Sequence, residues 1–331
     1  YNAAHRCMSS SNAVKYIQSI FDKYQDRCKY YVFVDSTLPK HYIYEVFPKL
    51  NIPENSVLLY EARADFTEEE IKLLALYHIQ LLIVGIESFS TEALKLLNKG
   101  RNSFDNIRFL KYCRQYGIAV NWNILVGIPG ETDKMIRDNL RISKKITHLY
   151  PPTGVWLISF QGNCDYNIHQ ENYEIKLVPD ITSMAMVYPY LEDKLGEMTY
   201  FYKQKTQNMT RTQAVLIQKL AKTINVWKDR WYSSKIDEVP SLYFKSIDTV
   251  IDTRMERKTI SLNKLEYKVL SQLNEPMSMQ ELFQMNPLQD MRLIEKCVEK
   301  FKENDLLFFE NEVYMSLVTS HAGRVPVAPE F

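Results

Sequence analysis

Two apolar segments of this chain each end in small or polar residues that could bind a ligand. Leu81–Ile86 is followed by Glu87 and Ser88, and Asn123–Val126 is followed by Gly127. Side chains just beyond the carboxyl ends of parallel strands are the ones able to reach a ligand in an α/β fold. A carboxylate and a hydroxyl there could hold ribose hydroxyls or an amino group, whereas the alternative is a helix-capping role. The two segments together predict a cofactor site.

The turn Gly127-Ile-Pro-Gly-Glu131-Thr132 ends one of these segments and precedes a helical pattern. Backbone amides at such a helix start could hold an anionic or polar group. The turn lacks the Gly-Lys-Ser/Thr of a Walker loop and the spacing of GxGxxG. Its alternative is a tight turn in which Glu131 lies in the first helical turn, where a negative charge is favourable.

Two further charged residues follow another predicted strand. Glu61 and Arg63 alternate along it and so face the same side, which we expect to be the mouth of the same cavity, although a mutual ion pair is the alternative. Asp35 ends a preceding strand with the same ambiguity. The scattered histidines form no HxxxH motif and the cysteines no CxxC motif, so the chain shows no metal-ligand spacing.

The first 160 residues alternate strand and helix patterns, which predicts a parallel α/β fold. A capping box at Thr67 and Glu70, an N-cap at Ser90 or Thr91 and a helix end at Gly117 mark boundaries. Five strands are too few for a complete eight-stranded barrel, so a partial barrel or an open sheet is expected. The predicted strands are Tyr30–Asp35, Ser56–Arg63, Leu81–Ile86, Ile118–Val126 and Gly154–Phe160.

The remaining residues divide into three parts. Residues 161–240 are rich in aromatic side chains and helical sequence, and we expect them to cover the barrel rather than to form a ligand surface, with Met184 and Met186 as core residues. Residues 241–318 comprise a strand-like segment, three helices and a hairpin turning at Asn311, which predicts a winged-helix-like module. Residues 319–331 read as a tail. The module's helix Leu288–Phe301 carries balanced charge, so peptide binding or packing is favoured over nucleic acid.

The composition limits which binding partners and which cellular compartment are expected for this chain. The 331 residues carry 41 basic and 40 acidic side chains, a net charge of +1 that offers no general attraction for nucleic acid or an anionic membrane. The chain has no charged-then-apolar leader and no membrane-length apolar run. Five cysteines without a paired framework favour a reduced, cytoplasmic location. The initial Tyr1 suggests that residues precede this sequence.

Six short motifs occur in chain order, namely Tyr30–Asp35, Tyr60–Arg63, Gly85–Ser90, Asn98–Gly100, Trp122–Glu131 and Pro151–Gly154. This order resembles the radical S-adenosylmethionine (SAM) enzymes of the cobalamin-associated class, and among them the maturases of ribosomally synthesised peptides (RiPP maturases). The resemblance implies a partial (β/α) radical-SAM-type barrel with the small winged-helix-like domain. It places the ribose or methionine part of the cofactor at Glu87 and Ser88, and the adenine beside Asn123–Gly127. The implied cofactor contacts are Glu61, Arg63, Glu87, Ser88, Asn123, Leu125 and Gly127.

The resemblance also implies a [4Fe-4S] cluster, whose three cysteines in a CxxxCxxC loop are absent from the sequence. In the family this loop lies just before a segment resembling His5–Ser10, so its ligands are expected upstream of Tyr1. Cys7 alone does not replace them. Phe160–Asn163 also departs from the family pattern, which leaves the contacts of the sixth strand open.

The predicted function is therefore radical SAM modification of a precursor peptide, with cobalamin-dependent C-methylation favoured over epimerisation or cross-linking. The implied cofactors are SAM, the cluster and, for methylation, cobalamin. The implied partners are the peptide and an electron donor such as a flavodoxin or ferredoxin. Without the cluster ligands, these residues alone are expected to be inactive. The alternative is a non-catalytic peptide-binding scaffold with a degenerate barrel.

Overall fold

A computed structural model describes residues 7–34, 37–191, 194–205, 209–232 and 239–323. Asp35 lies outside these ranges, so the prediction made for it has no structural counterpart here. Among the described residues, no helix is both long and apolar enough to cross a lipid bilayer.

Strands and helices alternate through the first 160 residues, as the sequence predicts. The strands are Tyr30–Val32 (β1), Val57–Ala62 (β2), Ile79–Val84 (β3), Ala119–Asn121 (β4), Ile124–Val126 (β5) and Val155–Leu157 (β6). The helices are Ser10–Tyr24 (α1), Tyr42–Glu45 (α2), Glu68–Leu76 (α3), Thr91–Leu96 (α4), Ser103–Tyr116 (α5) and Asp133–Lys145 (α6). All of these strands except β3 are shorter than the segments predicted for them, and β3 has the predicted length but begins two residues earlier.

All of these strands pair in parallel. β1 to β4 form one sheet in chain order, and β5 pairs with β6. A single parallel bridge between Glu87 and Ile124 joins the two sheets beyond the end of β3. The segment predicted as one strand over Ile118–Val126 is thus interrupted at Trp122, where its pairing passes from β3 to Glu87 and β6. The described strands therefore form a curved parallel arrangement whose carboxyl ends lie together.

Local signals explain where these helices begin and end. Thr67 and Glu70 form the predicted reciprocal capping box of α3. The Ser90 hydroxyl accepts the N–H of Ala93, and Gly117 ends α5 with a left-handed φ of 72°. Helix α2 stops at Glu45, and a 3₁₀ turn over Phe47–Lys49 follows. Pro48 has no N–H to continue an α-helix there.

Residues 160–232 contain a sheet that the sequence did not indicate. Its strands Phe160–Gln161 (β7), Leu177–Pro179 (β8) and Phe201–Gln204 (β9) are antiparallel in the order β7-β9-β8, and we call them the extension sheet. The helices here are Asp165–Ile168 (α7), Thr182–Val187 (α8), Leu195–Met198 (α9) and Arg211–Tyr232 (α10). Strands this short carry too little periodicity for recognition among irregular segments.

Aromatic residues of this region differ in how far their side chains are buried. Trp227 and Trp231 on α10 are buried, and their indole N–H groups donate to the carbonyls of Leu149 and Thr147 at 3.0 and 2.7 Å. Tyr190, in contrast, is almost fully exposed. The core placement predicted for Met186 is wrong, since that side chain is 83% exposed, and Met184 is only partly buried.

The C-terminal module, residues 241–319, holds two small antiparallel sheets and three helices. Its elements are Leu242–Ser246 (β10), Thr249–Asp252 (β11), Lys258–Ser261 (β12), Lys264–Gln272 (α11), Met277–Ser278 (β13), Met279–Met285 (α12), Met291–Glu303 (α13), Leu307–Glu310 (β14) and Val313–Ser316 (β15). The predicted strand-like segment 242–254 is in fact a hairpin, because the chain reverses between β10 and β11. Asn311 lies in the β14–β15 turn with φ of 48°, as predicted.

The C-terminal module shares one hydrophobic core with the parallel sheet. Phe308 packs edge-on against Phe104 of α5 with ring centroids 4.7 Å apart. The buried Lys111 ammonium donates to the Ser316 carbonyl at 2.8 Å. Of the two roles expected for the module, packing against the sheet is observed. Helix α5, which follows the turn at Glu87, is therefore held on its other side by the module.

Candidate functional site

The two faces of the parallel sheet differ in what they contact. Leu58, Tyr60 and Ala62 belong to the main core, whereas Leu59 packs with Leu81 in a separate small cluster on the opposite face. Three residues nearer the carboxyl ends of these strands are register partners, and all three are exposed. They are Glu61 of β2, Ile83 of β3 and Asn121 of β4. Because register partners point to the same face, they form one exposed row at the strand ends.

Glu61 thus lies where the sequence predicts, on an open face at the end of β2. Arg63 lies beyond the strand and is also exposed, and its Nε is 3.4 Å from Asp65 Oδ2. A Glu61–Arg63 ion pair does not occur among the described residues, so that alternative is wrong. Asn121 in the same row is a candidate that sequence reasoning missed; its polarity inside an apolar segment was the available signal.

Glu87 occupies a turn just beyond the carboxyl end of β3. Its φ is 62°, in the left-handed region, and its carbonyl accepts the N–H of Leu125 at 2.8 Å. Lys99 Nζ lies 2.9 Å from Glu87 Oε1, and both side chains are largely buried. A Cβ atom on Gly85 would approach Oε1 to 2.8 Å and Nζ to 3.2 Å. Glycine at position 85 therefore leaves room for the Glu87–Lys99 pair.

Lys99 is a second residue that sequence reasoning did not place in the site, although Asn98–Gly100 was among the motifs. It lies twelve residues after Glu87 along the chain, beyond α4, so no local spacing indicates the contact.

Ser88 has the structural role, which corrects its prediction as a ligand contact. The side chain is fully buried and its hydroxyl donates to Asn139 Oδ1 at 3.1 Å. The same oxygen accepts the N–H of Phe89, and the Asn106 amide donates to the carbonyls of Ile86 and Ser88. These buried hydrogen bonds hold the turn that carries Glu87.

Asn123, Leu125 and Gly127 lie just before β5, within it and just after it, respectively. The Asn123 side-chain oxygen accepts a hydrogen bond from the Thr153 hydroxyl. Leu125 is the register partner of Trp156, whose ring is 58% exposed. Gly127 has φ of 73°, a conformation that favours glycine. Of these three residues, Leu125 contacts Glu87 directly, through its N–H and the Glu87 carbonyl.

Glu131 completes the turn that begins at Gly127. The Gly127 N–H donates to Glu131 Oε2 at 2.7 Å, while Oε1 is buried without a hydrogen-bond partner. Burial raises the pKa of this carboxyl to about 7, although the N–H groups of Gly127 and Ile128 favour the charged form. The Gly127 N–H is therefore already hydrogen-bonded to Glu131. It is not available to the anionic group that the turn was expected to bind.

A guanidinium lies beside this group of residues. Arg101 is partly buried, and its Nε and Nη1 have no hydrogen-bond partner among the described residues. Burial and the nearby positive charge of Arg63 lower its pKa, whereas Asp65, Asp105 and Glu87 oppose that effect. Buried guanidinium donors are rarely left unpaired. Arg101 therefore offers free donors to an anionic ligand group.

The described residues contain no group of three or more His, Cys, Asp or Glu side chains that could hold a metal ion. Cys7 and Cys28 are exposed and Cys113 is buried, and none of the five cysteines is paired. These residues do not fit a [4Fe-4S] cluster, which needs convergent thiolates. In contrast, glycine backbone at the strand ends, the Glu87–Lys99 pair and the unpaired Arg101 fit a polar, charged cofactor such as SAM.

Residues 6–142 match the family model described as the Radical SAM superfamily. An uncharacterized protein of Methanocaldococcus jannaschii is 28% identical over 125 residues, covering 34% of this chain and 39% of that protein. The oxygen-independent coproporphyrinogen-III oxidase-like protein HemZ of Bacillus subtilis is 23% identical over 141 residues, covering 42% of this chain and 28% of HemZ. The chain thus spans well under half of either relative.

Among solved structures, the radical SAM methyltransferase TsrM from Kitasatospora setae, with cobalamin and a [4Fe-4S] cluster bound, is similar with a TM-score of 0.47. The two are 17% identical, and the similarity covers 64% of this chain and 46% of TsrM. The described strands β1–β6 form a parallel α/β arrangement with helices.

Proposed function

We propose that this chain is the SAM-binding part of a radical SAM enzyme. The observation that carries the proposal is the position of Glu61, Glu87 and Gly127 at or just beyond the carboxyl ends of β2, β3 and β5, with Glu87 bridged to Ile124 beside Asn123, within the residues that match the Radical SAM superfamily. When bound and reduced, SAM supplies a carbon-centred radical that abstracts a hydrogen atom from a substrate.

Different residues of the site can bind different parts of SAM, according to their chemical groups. The exposed Glu61 carboxylate can accept hydrogen bonds from ribose hydroxyls. The side-chain amide of Asn123 can donate hydrogen bonds to these hydroxyls or accept hydrogen bonds from them. The free guanidinium donors of Arg101 can pair with the carboxylate of the methionine part. Lys99 holds the Glu87 carboxylate in one orientation, so Glu87 can accept from a ligand amino or hydroxyl group. Leu125 and Gly127 offer an apolar surface and close backbone approach for a planar base.

The motif order further supports precursor-peptide modification, with cobalamin-dependent methylation as the favoured reaction. This part rests on the resemblance of the motifs, as does the winged-helix-like character of the C-terminal module. Cobalamin, the peptide and an electron donor such as a flavodoxin or ferredoxin are the partners proposed with it. The [4Fe-4S] ligands would come from residues preceding Tyr1.

The test is anaerobic iron and sulfide reconstitution of the natural protein together with the residues that precede Tyr1. We expect a [4Fe-4S] absorption band and SAM binding by calorimetry. Arg101→Met should weaken the binding of SAM more than that of 5′-methylthioadenosine, which lacks the carboxylate. Absence of both the cluster and SAM binding would refute the proposal. That outcome would favour the second candidate, a peptide-binding scaffold, which the lack of metal-ligand groups in the described residues supports.

A further inference from the structure

A cavity of about 920 Å³ lies between the strand ends of β5 and β6 and the extension sheet. The turn from Gly127 to Glu131 and the side chain of Leu157 line it on one side, and β9 lines it on the other. A Cβ atom on Gly127 would lie 3.1 Å from Leu157 Cδ2 and 3.9 Å from Met209 Cε. The cavity is therefore continuous with the end of β5, where the proposed cofactor contacts lie.

Aromatic and thioether groups form part of the walls of this cavity. They comprise five aromatic rings and three methionines, namely Phe160, Tyr173, Tyr200, Phe201, Tyr202, Met184, Met198 and Met209. Phe201, Met198 and Tyr200 remain 52%, 44% and 41% exposed. The Tyr200 and Phe201 rings pack edge-on, with centroids 5.7 Å apart. A concave surface that leaves such side chains open to solvent indicates a ligand site.

The charges on the wall discriminate against anions. Lys203 is the only Lys or Arg among the described lining residues, and its Nζ is 3.2 Å from Asp180 Oδ1. Glu131 and Glu174 also line the cavity, so carboxylates outnumber the ammonium. A carboxylate or phosphate entering the cavity would meet no unpaired cation in its described walls. Aromatic groups, in contrast, gain favourable contacts from rings and methionine sulfur.

We propose that this cavity binds the substrate, and that the bound part of the substrate is an uncharged aromatic group. This inference rests on the proposed function, because the strand ends give the cavity its access to the cofactor. An aromatic group held against Phe201 and Met198 lies across the cavity from the Gly127 turn. The extension sheet is thus the element that selects the substrate.

The test uses the uncharged fluorophore N-phenyl-1-naphthylamine and its anionic relative 8-anilinonaphthalene-1-sulfonate as probes, titrated into the chain. We expect the uncharged probe to bind at least about tenfold more tightly than the anionic one. Phe201→Asp should weaken binding of the uncharged probe at least about tenfold, because it places a charge on the apolar wall. Phe201 is half exposed, so its replacement leaves no hole in the core.

Tyr16→Asp is the matched control. Tyr16 is 60% exposed and lines a separate apolar cavity of about 700 Å³ between α1 and β1. The proposal is overturned if the Tyr16 variant abolishes probe binding while the Phe201 variant leaves it unchanged, or if the anionic probe binds as tightly as the uncharged one. SAM binding is measured separately on the same variants. If the wild type binds the uncharged probe but does not bind SAM, the proposed function is refuted and the aromatic site is retained.

Discussion

The pKa of Glu131 makes the stability of this chain depend on pH near neutrality. The carboxyl is largely desolvated, its Oε1 has no hydrogen-bond partner, and its pKa is raised from 4.5 to about 7. By linkage, a raised pKa of this size corresponds to a stability change of about 3 kcal/mol. The folded chain binds the proton more tightly than the unfolded chain. The stabilisation is therefore fully present below pH 4.5 and is lost as the pH rises through about 7.

The perturbation that isolates this effect is Glu131→Gln. Glutamine retains an oxygen that can accept the Gly127 N–H, and it does not titrate. Any constant cost of placing its amide group in the turn is the same at every pH. We therefore expect the unfolding free energy of the variant, relative to wild type, to increase by about 3 kcal/mol between pH 4.5 and pH 8.

The assay is urea unfolding at a series of pH values, monitored by circular dichroism. Glu69→Gln, at an exposed position in the first turn of α3, is the control and should show no comparable pH-dependent difference. Carboxyl carbon NMR of the wild type reports the titration directly. A difference between Glu131→Gln and wild type that stays constant within about 1 kcal/mol across this range would refute the argument from desolvation.

Three further predictions concern the turn at Glu87 and the contact between α5 and the C-terminal module. Gly85→Ala should displace the Glu87–Lys99 pair and weaken SAM binding about tenfold by calorimetry; unchanged affinity would show that the pair does not shape the site. Lys99→Met should also reduce SAM affinity while Lys95→Met, at an exposed position of α4, should not. Burial lowers the pKa of Lys111 from 10.5 to about 8, so wild-type stability should fall as the pH decreases from 10.5 through 8. Lys111→Met should remove that dependence in thermal unfolding, and a persisting dependence would assign it to another group.

Several elements were predictable because their signals are local. The capping box at Thr67 and Glu70, the helix end at Gly117 and the turn at Asn311 each depend on a few adjacent residues. The same holds for the alternation of strands and helices, which follows the apolar pattern of each segment. The extension sheet was not predictable in this way, because its three strands have two to four residues each and pair across long intervals.

The candidate site also has features that local sequence predicts and features that depend on remote contacts. Sequence placed Glu61, Glu87, Asn123 and Gly127 at strand ends, since the carboxyl ends of parallel strands meet at one edge. It could not decide between the two roles of Ser88, because its partner Asn139 is remote in the chain. It also missed Lys99, whose contact with Glu87 depends on the path of α4.

By itself, the sequence determined the parallel α/β pattern, the strand ends that carry polar residues and a motif order that resembles radical SAM enzymes. These follow from periodicity and from residue types at fixed positions. Tertiary structure alone decided which polar groups remain available to a ligand. Arg101 has donors with no partner among the described residues, the Ser88 hydroxyl and the Gly127 N–H are used within the fold, and the extension sheet forms an aromatic cavity wall. Hydrogen-bond satisfaction and burial depend on contacts between distant segments, and no single segment encodes them.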